Sequence, residues 1–338
     1  MTAGEPAPAR GAVLVTWMGF EPRGPRTGGR LAAAGLDVRV APKLGARSTR
    51  EVASLLEGAV AAIVSTDPFD RSVFAAAPGL RVVARVGVGT DSIDLQAATD
   101  AGVVVTTTPG ANRETTADHA VAMILGAVRR IVEHDASVRR GEWSRGGRLT
   151  PWDLHGSTVG IVGCGEIGRA VARRLAGFGV DLVVCDPAPT GVEGAVPVEL
   201  DELLARADVV SLHLPLVEAT RGIVGAAELA RMGPDAILVN TSRGGLVDER
   251  ALAAALARGD IRAAALDVFA DEPAVPPELA ELENVILTPH IGGLSVRSIA
   301  AMTEMATGHV LGVLAGRPPA GAVANPAVLR AVAPGAAA

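Results

Sequence analysis

The sequence predicts an α/β protein of two lobes, each a doubly wound parallel sheet, and three observations carry that expectation. Its 338 residues exceed one core and suit two, since domains hold roughly 100 to 200 residues each. Short apolar runs alternate with amphipathic segments along nearly the whole chain, the pattern of strands buried on both faces with helices between them. A long helical stretch separates two such series.

In the first series the runs are Ala12 to Thr16, Val38 to Val40, Ala61 to Val64, Val82 to Arg85 and Val103 to Thr106, which read as buried parallel strands with helices between them. After the fourth comes Arg85-Val86-Gly87-Val88-Gly89-Thr90-Asp91, where backbone without Cβ atoms can come close to a ligand. From Thr116, an acceptable N-cap, to about Arg140, the residues Ala120, Met123, Ile124, Ala127, Val128, Ile131 and Val132 recur at helical spacing. One long helix bridging the lobes is expected there.

The second series is more regular. Strands are expected at Thr158 to Val162, Asp181 to Cys185, Val209 to Leu214, Ala236 to Thr241, Ala263 to Val268 and Val285 to Thr288. Helices fall between them at Glu166 to Ala176, Asp201 to Ala207 and Glu249 to Arg258, the order of a doubly wound sheet. Leu294 to Leu314 reads as a helix with one apolar face, and the Pro-rich residues after Arg317 as a strap.

Composition narrows the function classes. Hydrophobic residues make up 49% of the chain and aromatics 2%, with no Tyr, so the cores must rest on Ala, Val, Leu and Ile. A formal charge of -6, with Lys and Arg scattered, supplies no field for a phosphate backbone or anionic lipid; neither nucleic acid nor membrane is an expected partner. Two cysteines, Cys164 and Cys185, do not amount to a disulfide framework, and residues 1–10 lack the cationic start and apolar core of a secretory leader. With no uncharged apolar stretch of about 18 residues, a cytoplasmic location is expected.

The first chemical signal is Gly163-Cys164-Gly165-Glu166-Ile167-Gly168, a G-x-G-x-x-G directly after an expected strand and opening an expected helix. Gly163 permits the tight turn, Gly165 lets backbone approach a pyrophosphate, and Gly168 lets helix and strand pack closely, while the helix N-terminus offers N–H groups to the phosphates. Among 40 glycines such a pattern arises by chance, so the context decides. Asp186 ends the next strand, 18 residues past Gly168, where its carboxylate can accept the ribose hydroxyls. Pro187 and Ala188 follow it and bring no Arg for a 2′-phosphate, which favours NAD as cofactor over NADP.

Hydride transfer from an alcohol needs a base, a cation for the substrate carboxylate and a placed cofactor. Among six histidines, His290 stands at the end of the last strand, after Pro289 and before Gly292-Gly293, which is where ligands bind in parallel sheets. Arg243 holds the matching place after the strand ending at Thr241, and a guanidinium there can grip a carboxylate bidentately. Glu272, beyond the strand ending at Val268, supplies a carboxylate to stabilise and orient the imidazole. His213 is expected beside the cofactor crevice, and His119, His134, His155 and His309 as surface or core residues. No His pairs with Cys or carboxylates at metal-ligand spacing, so no metal is expected.

These segments, together with Thr108-Pro109-Gly110-Ala111-Asn112, Asn240 to Asp248, Leu266-Asp267-Val268-Phe269, Asp271-Glu272-Pro273 and Thr288-Pro289-His290-Ile291-Gly292-Gly293, resemble the D-isomer-specific 2-hydroxyacid dehydrogenases, within which the chain is most similar to 3-phosphoglycerate dehydrogenase-like members. The resemblance runs nearly end to end. It implies a Rossmann NAD-binding domain, 110–293, inserted in a flavodoxin-like substrate (lid) domain, 1–109 with 294–338. It further implies His290 as acid–base, Glu272 as its partner and Arg243 as substrate clamp, with Arg85 and the backbone at Val88 and Gly89 on the substrate. Cofactor contacts would fall at Val88, Gly163, Gly165, Glu166, Ile167, Gly168, Asp186, Leu214, Thr241, Asp267, His290, Gly292 and Gly293, and the helix after Thr116 would serve a homodimer.

Departures bear on substrate. Asp118 stands where the family has Glu, and Ser92 where Asn is common. Ser65-Thr66-Asp67-Pro68 occupies the place where phosphoglycerate enzymes offer Arg to the phosphate, and no regulatory domain for serine feedback is expected. Candidate substrates are therefore 3-phosphoglycerate, glycerate/hydroxypyruvate or glyoxylate, with a phosphonate analogue as a further alternative. A different class of reading is a non-catalytic NADH sensor like the family's corepressors.

Overall fold

The computed structural model describes residues 11–43, 45–143, 145–188 and 191–332, and the chain divides into two compact units, Met1–Asn112 with Ser295–Ala338 and Arg113–Leu294. The first unit holds β1 (Gly11–Val15), β2 (Leu36–Val40), β3 (Ala59–Val64), β4 (Val82–Arg85) and β5 (Val104–Thr106). Their order is β2-β1-β3-β4-β5, all parallel, which is the flavodoxin-like arrangement. The runs of Val and Ala bury both faces, so a helix must cover each. On one face Val13, Val15, Val82 and Ala84 meet Met302, Ala306, Val310 and Val313 of the Val296–Leu314 helix.

The expected strap closes the β5 edge, which would otherwise present unpaired backbone. Asn325 accepts from Val105 N at 2.9 Å and donates to Val103 O at 2.9 Å, while Ala324 N reaches Val105 O at 2.8 Å. At the strand ends, Arg47 and Asp67 form an ion pair at 2.6 Å with both side chains 6% exposed, and the Thr16 hydroxyl donates to the same carboxylate at 2.6 Å. The Arg47 guanidinium also donates to Ala41 O.

The second unit holds β6 (Thr158–Val162), β7 (Asp181–Cys185), β8 (Val196–Pro197), β9 (Val209–Leu212), β10 (Ile237–Asn240), β11 (Ala263–Leu266) and β12 (Val285–Leu287). The order β12-β11-β10-β9-β6-β7-β8 reverses direction between β6 and β9, and at such a switch point the strand ends open a crevice for a dinucleotide. Leu203, Leu204, Val210, Leu238, Leu252 and Leu256 pack one face; Ile124, Ile161, Leu175 and Val239 pack the other. Each such fully buried leucine or isoleucine contributes about 1.5–3 kcal/mol relative to exposure.

Two expectations are corrected here. The helix expected to bridge the lobes instead lies wholly within the second unit and is not continuous: Arg113–Val128 and Ile131–Arg139 are separate helices, broken where Arg130 takes φ 51 and ψ 41. Thr116, read as the N-cap, lies buried inside the first of them. Apolar spacing continues through Ile131 and Val132, and a single left-handed residue leaves no mark on that periodicity. The edge strand β8 was not anticipated; two residues long and ending in Pro, it carries no strand signal and fits only an edge.

Candidate active site

The glycine turn joins β6 to the Glu166–Leu175 helix, and each glycine answers a measurable constraint. Gly163 has φ 88, and a Cβ there would stand 2.7 Å from His213 O and 2.8 Å from the Leu214 side chain. A Cβ on Gly168 would come within 2.2 Å of Gly163 O, whereas Gly165, the helix N-cap, faces open space. The helix therefore begins facing open space, with Glu166 and Ile167 in its first turn and its first backbone N–H groups without intrahelical partners. Asp186, just past β7, accepts from Cys164 N at 2.5 Å and from Ala188 N at 2.8 Å, which fixes its carboxylate beside the turn. The Thr241 hydroxyl, beyond β10, is buried and finds no hydrogen-bond partner among the described residues. A Cβ-free cradle, a fixed carboxylate and an unsatisfied hydroxyl along neighbouring strand ends fit a dinucleotide.

The second cluster rises from β10, β11 and β12. After Asn240, the amide group of that residue accepts from Ser242 N at 3.0 Å and donates to Arg243 O at 2.8 Å, while the Ser242 hydroxyl donates to Leu212 O at 2.8 Å. These bonds hold the loop carrying Arg243. Gly244 follows, and a Cβ there would lie 1.9 Å from the Phe269 carbonyl carbon, so only glycine lets this loop press onto the segment leading to Glu272. Glu272 accepts from Phe269 N at 3.1 Å and meets His290 Nδ1 at 2.7 Å. Burial pushes the Glu272 carboxyl up, but the His290 hydrogen bond and charge, Phe269 N and the charge of Arg243 together hold it below the ordinary glutamate range.

His290 has φ 54, a left-handed conformation that a histidine adopts only where its surroundings impose it. Asp267, 1% exposed, imposes it: its carbonyl accepts from His290 N at 2.8 Å, and its carboxylate accepts from Ile291 N at 2.9 Å, Gly292 N at 2.7 Å and the Thr288 hydroxyl at 2.5 Å. With a carboxylate against Nδ1, that nitrogen carries the hydrogen and Nε2 is the atom that can exchange a proton.

Arg243, Glu272 and His290 stand at strand ends of one unit, with Arg243 near enough for its charge to lower the Glu272 carboxyl, and the glycine turn, Asp186, Leu214, Thr241, Asp267, Gly292 and Gly293 belong to the same unit. Arg85, Val88 and Gly89 belong to the other unit. There, Arg85 donates to Val86 O at 2.6 Å, and its guanidinium fills the space a Cβ on Gly87 would need. Thr108 pins Gly87 N at 2.8 Å, leaving Val88 exposed at the strand end. His213 lies at the glycine turn as expected, hydrogen-bonded to Ser211 at 2.9 Å; desolvation lowers it to about 4, so it is neutral at physiological pH. Asp118, the family departure, accepts from Arg174 Nε at 2.7 Å and ties two helices of this unit together. His119, expected as filler, instead reaches Thr288 and Asp267; nothing in its sequence neighbourhood signals that contact, which arises only when its helix packs beside β11 and β12. Among the described residues no three His, Cys, Asp or Glu side chains gather as metal ligands, and no helix is long and apolar enough to cross a membrane.

A Rossmann sheet carrying this turn and a histidine–carboxylate pair at its strand ends defines an NAD-dependent oxidoreductase. Residues 121–292 match the family model described as D-isomer specific 2-hydroxyacid dehydrogenase, NAD binding domain. The chain is 45% identical over 282 residues to the glyoxylate reductase of Korarchaeum cryptofilum, covering 80% of this chain and 83% of that protein. It is 44% identical over 266 residues to the D-3-phosphoglycerate dehydrogenase of Mycobacterium tuberculosis, covering 78% of this chain but only 50% of that longer protein. The structure of D-lactate dehydrogenase from Aquifex aeolicus with NAD and lactic acid superimposes with a TM-score of 0.82 at 27% identity, covering 93% and 99% of the two chains. This chain belongs to the D-isomer specific 2-hydroxyacid dehydrogenase family.

Proposed function

We propose that the chain reduces a small, unphosphorylated 2-keto acid of the glyoxylate or hydroxypyruvate type to its D-2-hydroxy acid, and catalyses the reverse. The 2.7 Å contact between His290 Nδ1 and Glu272 carries this reading, because it leaves Nε2 to give a proton to the keto oxygen. Bound NADH supplies the hydride that C2 receives. Arg243 grips the substrate carboxylate and polarises the carbonyl. Asp186 selects NADH over NADPH through the ribose hydroxyls. The absence of phosphate from the substrate is supported by Ser65-Thr66-Asp67-Pro68 standing where phosphoglycerate enzymes offer Arg, by the pairing of Arg47 with Asp67 and by the glyoxylate reductase relative.

Steady NADH consumption with glyoxylate or hydroxypyruvate, much weaker consumption with 3-phosphohydroxypyruvate or a phosphonate analogue, and a preference for NADH over NADPH are the expected results. Tight NADH binding with negligible turnover across the panel would instead identify a sensor.

The same proposal places the enzyme in the cytoplasm as a homodimer. Ile131, Val132 and Val138 of the Ile131–Arg139 helix, with Trp143 at 81%, are exposed apolar side chains on one short segment, and a cluster of that kind calls for a partner. Light scattering on Ile131→Glu/Val138→Glu is expected to report half the mass of the parent protein; a parent that is already monomeric, or a variant that stays dimeric, contradicts the assignment.

A further inference from the structure

We propose that His119 is a positioning residue for the turn that carries His290, acting through Thr288 and Asp267; the inference rests on the acid–base role given to His290 above. His119 stands on the Arg113–Val128 helix, away from the glycine turn and from Glu272 in sequence. Its Nε2 lies 3.2 Å from the Thr288 hydroxyl oxygen and 3.4 Å from Asp267 Oδ1.

The direction of these bonds follows from counting hydrogens. The Thr288 hydroxyl gives its only hydrogen to Asp267 Oδ1 at 2.5 Å, so toward His119 it can only accept. His119 Nε2 therefore carries a hydrogen, shared between the hydroxyl oxygen and the carboxylate. Asp267 then accepts from Thr288, Ile291 N, Gly292 N and His119. Burial pushes the Asp267 carboxyl up; His119 is foremost among the donors that bring it below the ordinary aspartate range.

The geometry links this carboxylate to catalysis. Asp267 fixes residues 290 to 292 through one carbonyl and two carboxylate contacts, and those contacts impose the left-handed backbone of His290. Gly292 is part of the same fit: a Cβ there would stand 2.8 Å from Asp267 Oδ2 and 3.2 Å from His119 Cδ2. The His119 ring thus walls the space in which the turn meets the carboxylate. Without its N–H, Asp267 keeps a buried charge with one donor fewer, and the turn loses the restraint that aims Nε2.

The test uses the intact protein with a keto acid that it turns over. His119→Leu keeps bulk and removes the donor; kcat should fall roughly 10- to 100-fold, the cost of a charge-assisted hydrogen bond, with KM changed less than about twofold. His119→Gln returns an N–H and should recover most of the loss. In the cofactor-free protein, amide exchange at Ile291 and Gly292 should quicken in His119→Leu and return in His119→Gln, with β6 unchanged. Unaltered kcat in His119→Leu overturns the proposal, as does a loss that Gln does not recover while exchange at Ile291 and Gly292 stays as in the parent. If His119→Leu does not fold, Thr288→Val breaks the same relay and carries the same expectations. His290→Ala is run alongside: full turnover there overturns the acid–base reading, whereas a dead His290→Ala beside a normal His119→Leu overturns this inference alone.

Discussion

His290→Ala should lower kcat by roughly 10²–10⁴-fold, the usual worth of a placed general acid–base, while NADH binding measured by fluorescence titration stays within about threefold. The split follows from the layout. The cradle for the dinucleotide is built on β6 and β7 by Gly163, Gly165, Gly168 and Asp186, whereas His290 comes from the end of β12 and is aimed by Glu272 at 2.7 Å. Removing the ring takes away the proton donor and leaves the cradle standing. The Glu272 carboxyl is pushed up by burial and brought below its ordinary range first by the hydrogen bond and charge of His290, so losing the ring also shifts that carboxyl upward. Turnover within about threefold of the parent would sink the assignment.

Arg243→Ala should cost roughly 10²–10³-fold in kcat/KM, comparable with the loss of one oxyanion donor, and it should act on both kcat and KM because one guanidinium is asked both to bind the carboxylate and to polarise the carbonyl. The Arg243 guanidinium donates to Ser242 O at 2.6 Å, but the Asn240 and Ser242 bonds that tie the loop to Arg243 O and Leu212 O do not use that side chain and remain in the variant. Arg243→Lys should recover only part of the loss, since an ammonium keeps the charge but not the planar fork. A variant with KM for the keto acid unchanged, and kcat unchanged as well, would remove Arg243 from the proposed machinery.

Legibility in the sequence followed the range of the interactions. The glycine turn and Asp186 are local to one βαβ unit, and their spacing alone locates them at β6 and β7. Arg243, Glu272 and His290 lie far apart along the chain, yet a parallel sheet sends the ends of β10, β11 and β12 to one edge, so alternation of strand and helix was enough to expect them together. The edge strap was readable in outline from its prolines; the side chain that closes β5, Asn325, was not. The break at Arg130 escaped because one backbone angle leaves hydrophobic periodicity intact. The contacts of His119 with Asp267 and of Arg47 with Asp67 escaped for another reason: each joins two side chains from separate elements, and no period or motif encodes which pairs will meet. Glu272 also approaches Arg243 only because Gly244 lets two loops touch, a fit visible in coordinates and silent in a string of letters.

The Val296–Leu314 helix, which seals one face of the β1–β5 sheet, sets an order of assembly. During synthesis the five strands leave the ribosome early but lack the side chains of Met302, Ala306, Val310 and Val313 that cover them, whereas residues 113–294 contain every element of their own core. One face of that sheet is therefore completed only by the end of the chain, whereas residues 113–294 need nothing from outside their own span, so the second unit can become compact before the first is finished.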